Sequence, residues 1–153
     1  MEMAIRKILL CEDNPNDLKL TLIALKKRNV LNEVDVVTDG AEALDYLHRR
    51  GKYEGAGKLN LAVILLDLKM PKVDGLQVLR EIKSHDALSL IPVVVLTSSR
   101  EDRDIIESYK LGTNAYVVKP VDFQEFADAI SALGQFWAIL NEVPLEAVEA
   151  KGN

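Results

Sequence analysis

The chain has 153 residues, 48% of them apolar, and a formal net charge of −5. That length suits one domain with a full core, and the acidic balance argues against nucleic acid, since no basic stripe is available to neutralise phosphates. The apolar runs are too short to span a membrane, "MEMAIRKILLCEDN" meets acids too early for a secretory signal, and the single Cys11 permits no internal disulfide, so a reducing cytoplasm is the expected setting.

Strand and helix signals then alternate along the chain. "KILLCED" (7–13) is a short apolar run ending in acids, with Cys11 read as an inert buried thiol. Asn14-Pro15 breaks it and starts a helix carrying Leu18, Leu22 and Leu25 at helical spacing. "EVDVVT" (33–38) alternates as a strand does, and Asp39-Gly40 turns it into a short helix with Leu44 and Leu47. "GKYEGAGKLN" (51–60) is a polar, Gly-rich loop before the buried strand "LAVILLD" (61–67). "GLQVLREIKS" (75–84) is helical, and Pro92 opens another buried strand, "VVVLTSS" (93–99). "EDRDIIESYKLG" (101–112) is an amphipathic helix in which Gly112 fits the C-terminal cap. "AYVVKP" (115–120) is a last short strand, and 122–140 a long helix with Asp122 as N-cap. This predicts an α/β fold in which a β-α unit repeats five times, with a parallel sheet between two helical layers. One domain over 1–140 and a loose tail over 141–153 are expected.

In such a sheet every strand's C-terminal end lies on one edge, where ligands bind. Glu12 and Asp13, then Asp67, then Thr97 and Ser98, then Lys119 all fall there. Taken singly, each has a plain structural explanation: a cap, a turn or a solvated corner. Together they offer three carboxylates, hydroxyls and an amine to one crevice. Neighbouring carboxylates repel unless a cation lies between them, and hard oxygen ligands suit Mg²⁺. Lys119 and Thr97 are then placed to hold an anion, which points to phosphoryl chemistry.

"LLCEDNPND" (9–17), "VILLDLKMPKVDG" (63–75), "VVVLTSS" (93–99) and "AYVVKPVD" (115–122) together resemble the receiver domain of bacterial two-component response regulators, over about residues 5 to 138. The separations between Asp67, Thr97 and Lys119 agree with that family. "EDNPNDLKL", "RRGKYEGAGKLN" and "KPVDFQEF" followed by Phe136-Trp137 resemble the small regulators paired with cyanobacterial-type phytochrome histidine kinases. The resemblance implies a flavodoxin-like (βα)5 fold with strand order 2-1-3-4-5.

It also implies roles. Asp67 accepts a phosphoryl group from a sensor histidine kinase. Glu12, Asp13, Asp67 and the backbone carbonyl of Lys69 hold Mg²⁺, Glu12 largely through bound water. Lys119 pairs with one phosphoryl oxygen and Thr97 bonds another. Lys119-Pro120 corresponds to the family's cis peptide. Tyr116 stands at an aromatic switch position that follows Thr97, although by itself it reads as packing on an edge strand. Lys69 is expected to reach over the phosphoryl group and slow its hydrolysis, while Ser99 offers little shield.

The expected output is protein–protein contact, since no room remains after residue 140 for a DNA-binding or enzymatic domain. Phe136, Trp137 and Leu140 are candidate partner-surface residues, or else cap the core, and a homodimer through the 101–140 face is expected. The downstream protein is unspecified. Beyond its own phosphorylation and dephosphorylation, no enzymatic activity is expected. One rival, a haloacid dehalogenase-type phosphatase, needs a second Asp where Lys69 stands. Another, a phosphate-independent binding module, would ordinarily have lost an acid or the lysine. A phosphorelay intermediate for a different sensor kinase stays open, as does a receiver cut from a larger protein, although the starting Met and the tail favour a stand-alone chain.

Overall fold

Five short apolar segments become five parallel strands. The computed structural model describes residues 6–27 and 32–119. In chain order the elements are β1 (Lys7–Cys11), α1 (Pro15–Lys27), β2 (Val34–Val37), α2 (Gly40–His48), β3 (Leu61–Leu66), α3 (Gly75–Ser84), β4 (Val93–Thr97), α4 (Asp102–Lys110) and β5 (Ala115–Val118). The sheet order is β2-β1-β3-β4-β5, as the resemblance implies. The 51–60 loop contains one 3-10 turn, Gly51–Tyr53, and a second such turn, Leu88–Leu90, precedes β4. The expected helix 122–140 with Asp122, the tail 141–153, the Phe136, Trp137 and Leu140 surface and the Lys119-Pro120 bond lie outside the described residues.

Period-2 geometry sorts the strand side chains into two cores. Leu9, Cys11, Ile64, Leu66, Val93 and Val95 face one way, packing with Ala43, Leu47, Val78, Leu79 and Ile82 of α2 and α3. Ile8, Leu10, Val63, Leu65, Val94 and Leu96 face the other way and meet Ala24 and Leu25 of α1. All six residues of β3 and all five of β4 are buried, which is why these strands read as unbroken apolar runs. Fully burying such a side chain contributes about 1.5–3 kcal/mol, so the central strands anchor the edge.

Helix starts are fixed locally. Asn14 Oδ1 accepts from the N–H groups of Asn16 and Asp17 at 2.9 and 3.1 Å, with Pro15 in the first helical position. Asp39 Oδ1 accepts from Glu42 N–H at 2.7 Å, and Asp74 forms a capping box with Gln77. Gly112, just beyond α4, has φ +97°, the conformation expected of it.

The loop after Asp67 is wedged between two helix starts. Gly75 N–H donates to Leu68 O at 2.9 Å, and Gly40 N–H to Pro71 O at 3.3 Å. A Cβ on Gly75 would lie 2.4 Å from Asp67 O, and one on Gly40 would lie 1.7 Å from Val73 O. Only glycine permits these approaches, which hold the 68–74 loop in place.

Candidate functional site

β1 ends at Cys11 and delivers Glu12 and Asp13; β3 ends at Leu66 and delivers Asp67. Asp67 N–H donates to Cys11 O at 3.0 Å, so the two strand ends are locked side by side. One oxygen from each of Glu12, Asp13 and Asp67 lies within 4.8 Å of the others. Glu12 and Asp67 are buried, whereas Asp13 is exposed. β5 ends at Val118, and Lys119 is buried beside them.

The Lys119 ammonium has three donors, and each meets a carboxylate. It bonds Asp67 Oδ2 at 2.9 Å, Asp17 Oδ2 at 2.8 Å, and Glu12 Oε1. Asp67 Oδ1 accepts from Lys69 N–H at 2.9 Å, and Glu12 Oε2 from Asn14 N–H at 3.2 Å. Burial would lower the Lys119 pKa, but Asp17, Asp67 and Glu12 outweigh it and hold it above its ordinary value. Burial likewise would raise Asp67, yet Lys119, the contact with Glu12 and the Lys69 N–H keep its carboxyl below the usual range. For Glu12 burial wins: its carboxyl is pushed up to about 7, against the pull of Lys119 and with Asp67 adding to the rise. Cys11 is buried and its thiol is pushed far up by burial first and then by Glu12, an inert state.

Thr97 is fully buried at the end of β4, and its carbonyl accepts from Lys119 N–H at 2.8 Å. Its hydroxyl accepts from Ser99 N–H at 3.3 Å, while Ser98 faces solvent. Ser99 in turn donates its hydroxyl to Asp104 at 2.5 Å. Half-buried Tyr116 donates to Ser99 O at 3.1 Å, so the loop leaving Thr97 touches the tyrosine directly. The Lys69 side chain is exposed.

Thus Glu12, Asp13, Asp67 and Lys119 form one cluster, with Thr97 and Tyr116 linked to it through backbone. Sequence reasoning missed Asp17. The available signal was its place in the first turn of α1, directly above the β1 acids in "EDNPND".

The cluster fits a divalent cation. Three carboxylates bond one ammonium and Asp13 adds a fourth beside Glu12 and Asp67, so acids outnumber the cation and the donors are all oxygen. Mg²⁺-type ions bind such sets through one or two carboxylates while keeping waters.

Residues 8–131 match the model of the response regulator receiver domain. The chain belongs to that family. This receiver is therefore a response regulator, a phosphoacceptor of two-component signalling. It is 40% identical to response regulator Rcp1 of Synechocystis over 85% of its own length and 87% of the relative's. Rcp1 has also been solved in a Mn²⁺-bound form, with a TM-score of 0.85 at 37% identity over 91% of this chain and 99% of that one. The phosphorylated cyanobacterial phytochrome response regulator RcpA gives 0.86 at 41% identity, covering 92% of this chain and 99% of that one. The bacteriophytochrome response regulator AtBRR is 58% identical, with a TM-score of 0.74, over 92% of this chain and 100% of that one. No described helix is long and apolar enough to cross a membrane.

Proposed function

We propose that this receiver takes a phosphoryl group on Asp67 from a phosphohistidine of a phytochrome-type sensor histidine kinase. One observation carries the reading: Glu12, Asp13 and Asp67 converge within 4.8 Å while Lys119 bonds Asp67 from the same side. An Asp67 carboxylate oxygen forms the new P–O bond as the donor's P–N bond breaks, and the donor nitrogen takes up a proton. Lys119, the contact with Glu12 and the Lys69 N–H hold the Asp67 pKa below the usual range, which favours the carboxylate as nucleophile.

Glu12, Asp13, Asp67 and the Lys69 carbonyl would hold Mg²⁺. When bound, the ion neutralises charge on the transferring group. The chain's own groups do the positioning. All three donors of Lys119 are occupied, so it must release a partner to accept a phosphoryl oxygen. Asp17 is the cheapest to give up, its side chain being 31% exposed against 1% and 7% for Glu12 and Asp67. Thr97 bonds a second oxygen, and movement of the 97–99 loop is felt by Tyr116 through Ser99 O. That link supports Tyr116 as the switch.

The family's pairing with kinases and the phytochrome context of its relatives support phytochrome light signalling in the cytoplasm. Output through protein contacts, including a homodimer on the 101–140 face, completes the reading. On this reading the chain acts on no substrate beyond its own phosphate.

The test is intact mass after incubation with a small phosphodonor and Mg²⁺. The wild type gains one phosphoryl, Asp67→Asn gains none, and Asp17→Asn labels at least as fast as wild type. Labelling of Asp67→Asn would overturn the assignment of the acceptor. Transfer from a phytochrome kinase, measured against unrelated kinases, tests the pairing.

A further inference from the structure

The chain has two histidines, and the fold brings both to one point far from Asp67. His48 is the last residue of α2, Glu81 lies in the last turn of α3, and His85 caps that helix. Helices here run antiparallel to the strands, so these ends lie at the edge where strands begin. The imidazole centroids are 4.7 Å apart. Glu81 Oε1 lies 3.0 Å from His85 Nε2 and 3.3 Å from His48 Nε2. One ligand atom from each of the three residues falls within 4.8 Å of the others.

A second observation is independent of the clustering. The His48 side chain is 2% exposed, and its Nε2 has no hydrogen-bond partner among the described residues. The approach of Glu81 is not aligned as a hydrogen bond. A buried ring nitrogen left in this state is costly unless something occupies its lone pair or its proton. The nitrogen faces the carboxylate and the second imidazole, which are themselves open to solvent.

We propose that His48, Glu81 and His85 form a binding site for a borderline divalent metal, of which Zn²⁺ is the type, with water in the fourth position. Two imidazoles and one carboxylate are a known zinc ligand set. Ligand atoms around a tetrahedral zinc at 2.0–2.1 Å lie roughly 3.3 Å apart. Two of the three separations already match that figure to within a few tenths of an ångström. Imidazole disfavours Mg²⁺, so this site and the all-oxygen cluster at Asp67 select different ions. Access is available, since the His85 and Glu81 side chains are 41% and 43% exposed. A metal there would clip the end of α2 to the end of α3.

The experiment titrates Zn²⁺ into untagged protein saturated with Mg²⁺, reading histidine imidazole NMR signals and thermal unfolding. Both histidines shift together, saturation comes at one equivalent, and Tm rises by linkage. His85→Gln and Glu81→Gln alter half-exposed side chains, so they keep the fold; each weakens binding at least tenfold and abolishes the Tm rise. Unmoved histidine signals would overturn the proposal, as would a Tm rise that survives Glu81→Gln. The three residues would then be a hydrogen-bonded stitch between helices, with any zinc held elsewhere.

Discussion

The two edges of the sheet each gather a trio of metal-ligating side chains, and they are supported differently. At the strand-end edge, Glu12 and Asp67 are buried and held by a buried ammonium. At the other edge two of the three side chains are about two-fifths exposed. In the first trio the paired strand ends and Lys119 hold Glu12 and Asp67, while Asp13 stays exposed. The second is positioned by helical spacing, Glu81 and His85 standing one turn apart, with His48 supplied across the helix pair. Buried charge demands close neighbours, and in the second trio only His48 is buried while Glu81 and His85 reach solvent.

Crowding should separate the edges most sharply. Gly40→Ala drives a Cβ into Val73 O beside the Asp67 loop, and a loss of about 3 kcal/mol in urea unfolding is expected. A loss below about 1 kcal/mol would mean that the loop yields easily.

Next in size is the buried cation. Lys119→Met leaves Glu12 and Asp67 facing each other without their ammonium, costing about 3 kcal/mol in EDTA. Added Mg²⁺ should restore part of that stability in the variant and more of it than in the wild type. Equal stabilisation of both proteins would show that the metal and the lysine do not share the same carboxylates.

A smaller effect belongs to Glu42 on α2. Its carboxylate accepts from Thr38 N–H at 3.0 Å and Tyr53 OH at 2.8 Å, and pairs with Lys52 at 2.6 Å. Burial would raise its pKa, but Lys52, Thr38 N–H and Tyr53 together bring it down to about 2. A folded pKa below the unfolded value of 4.5 means stability present above pH 4.5 and lost as pH falls toward 2. Lys52 is 69% exposed, so solvent screening weakens its share of the effect. Glu42→Gln should be less stable than wild type at pH 7, with the gap narrowing below pH 4.5 and closing as pH falls toward 2 in urea melts. A gap independent of pH would assign the effect to packing.

The smallest effect concerns Lys69. Its side chain is exposed next to Asp67, where it can shield a bound phosphoryl group from water. Lys69→Ala should shorten the lifetime of the aspartyl phosphate by a few-fold in a mass-spectrometric decay series. An unchanged lifetime removes the shielding role.

Much of this was legible in the chain. Unbroken apolar runs announced β3 and β4 because strands covered on both faces need no polar alternation. Acids at the ends of such runs announced the site, since topology alone sends every strand end to one edge. Asp17 was not legible as a partner of Lys119: 102 residues separate them, and helix α1 had first to be laid over the strand ends. His48 and His85 carry no joint signal in the chain; only the packing of α2 beside α3 brings their rings to 4.7 Å.

The sequence by itself determined the order of strands and helices, the capping residues and the edge to which Glu12, Asp13, Asp67, Thr97 and Lys119 belong. Those depend on periodicity and on neighbours a few residues away. Tertiary structure decided which charges meet, that Lys119 spends all three donors, that Gly40 and Gly75 are pressed against backbone, and that two imidazoles share one carboxylate. Such facts depend on distances of a few tenths of an ångström between segments far apart in the chain, and only packing sets those distances.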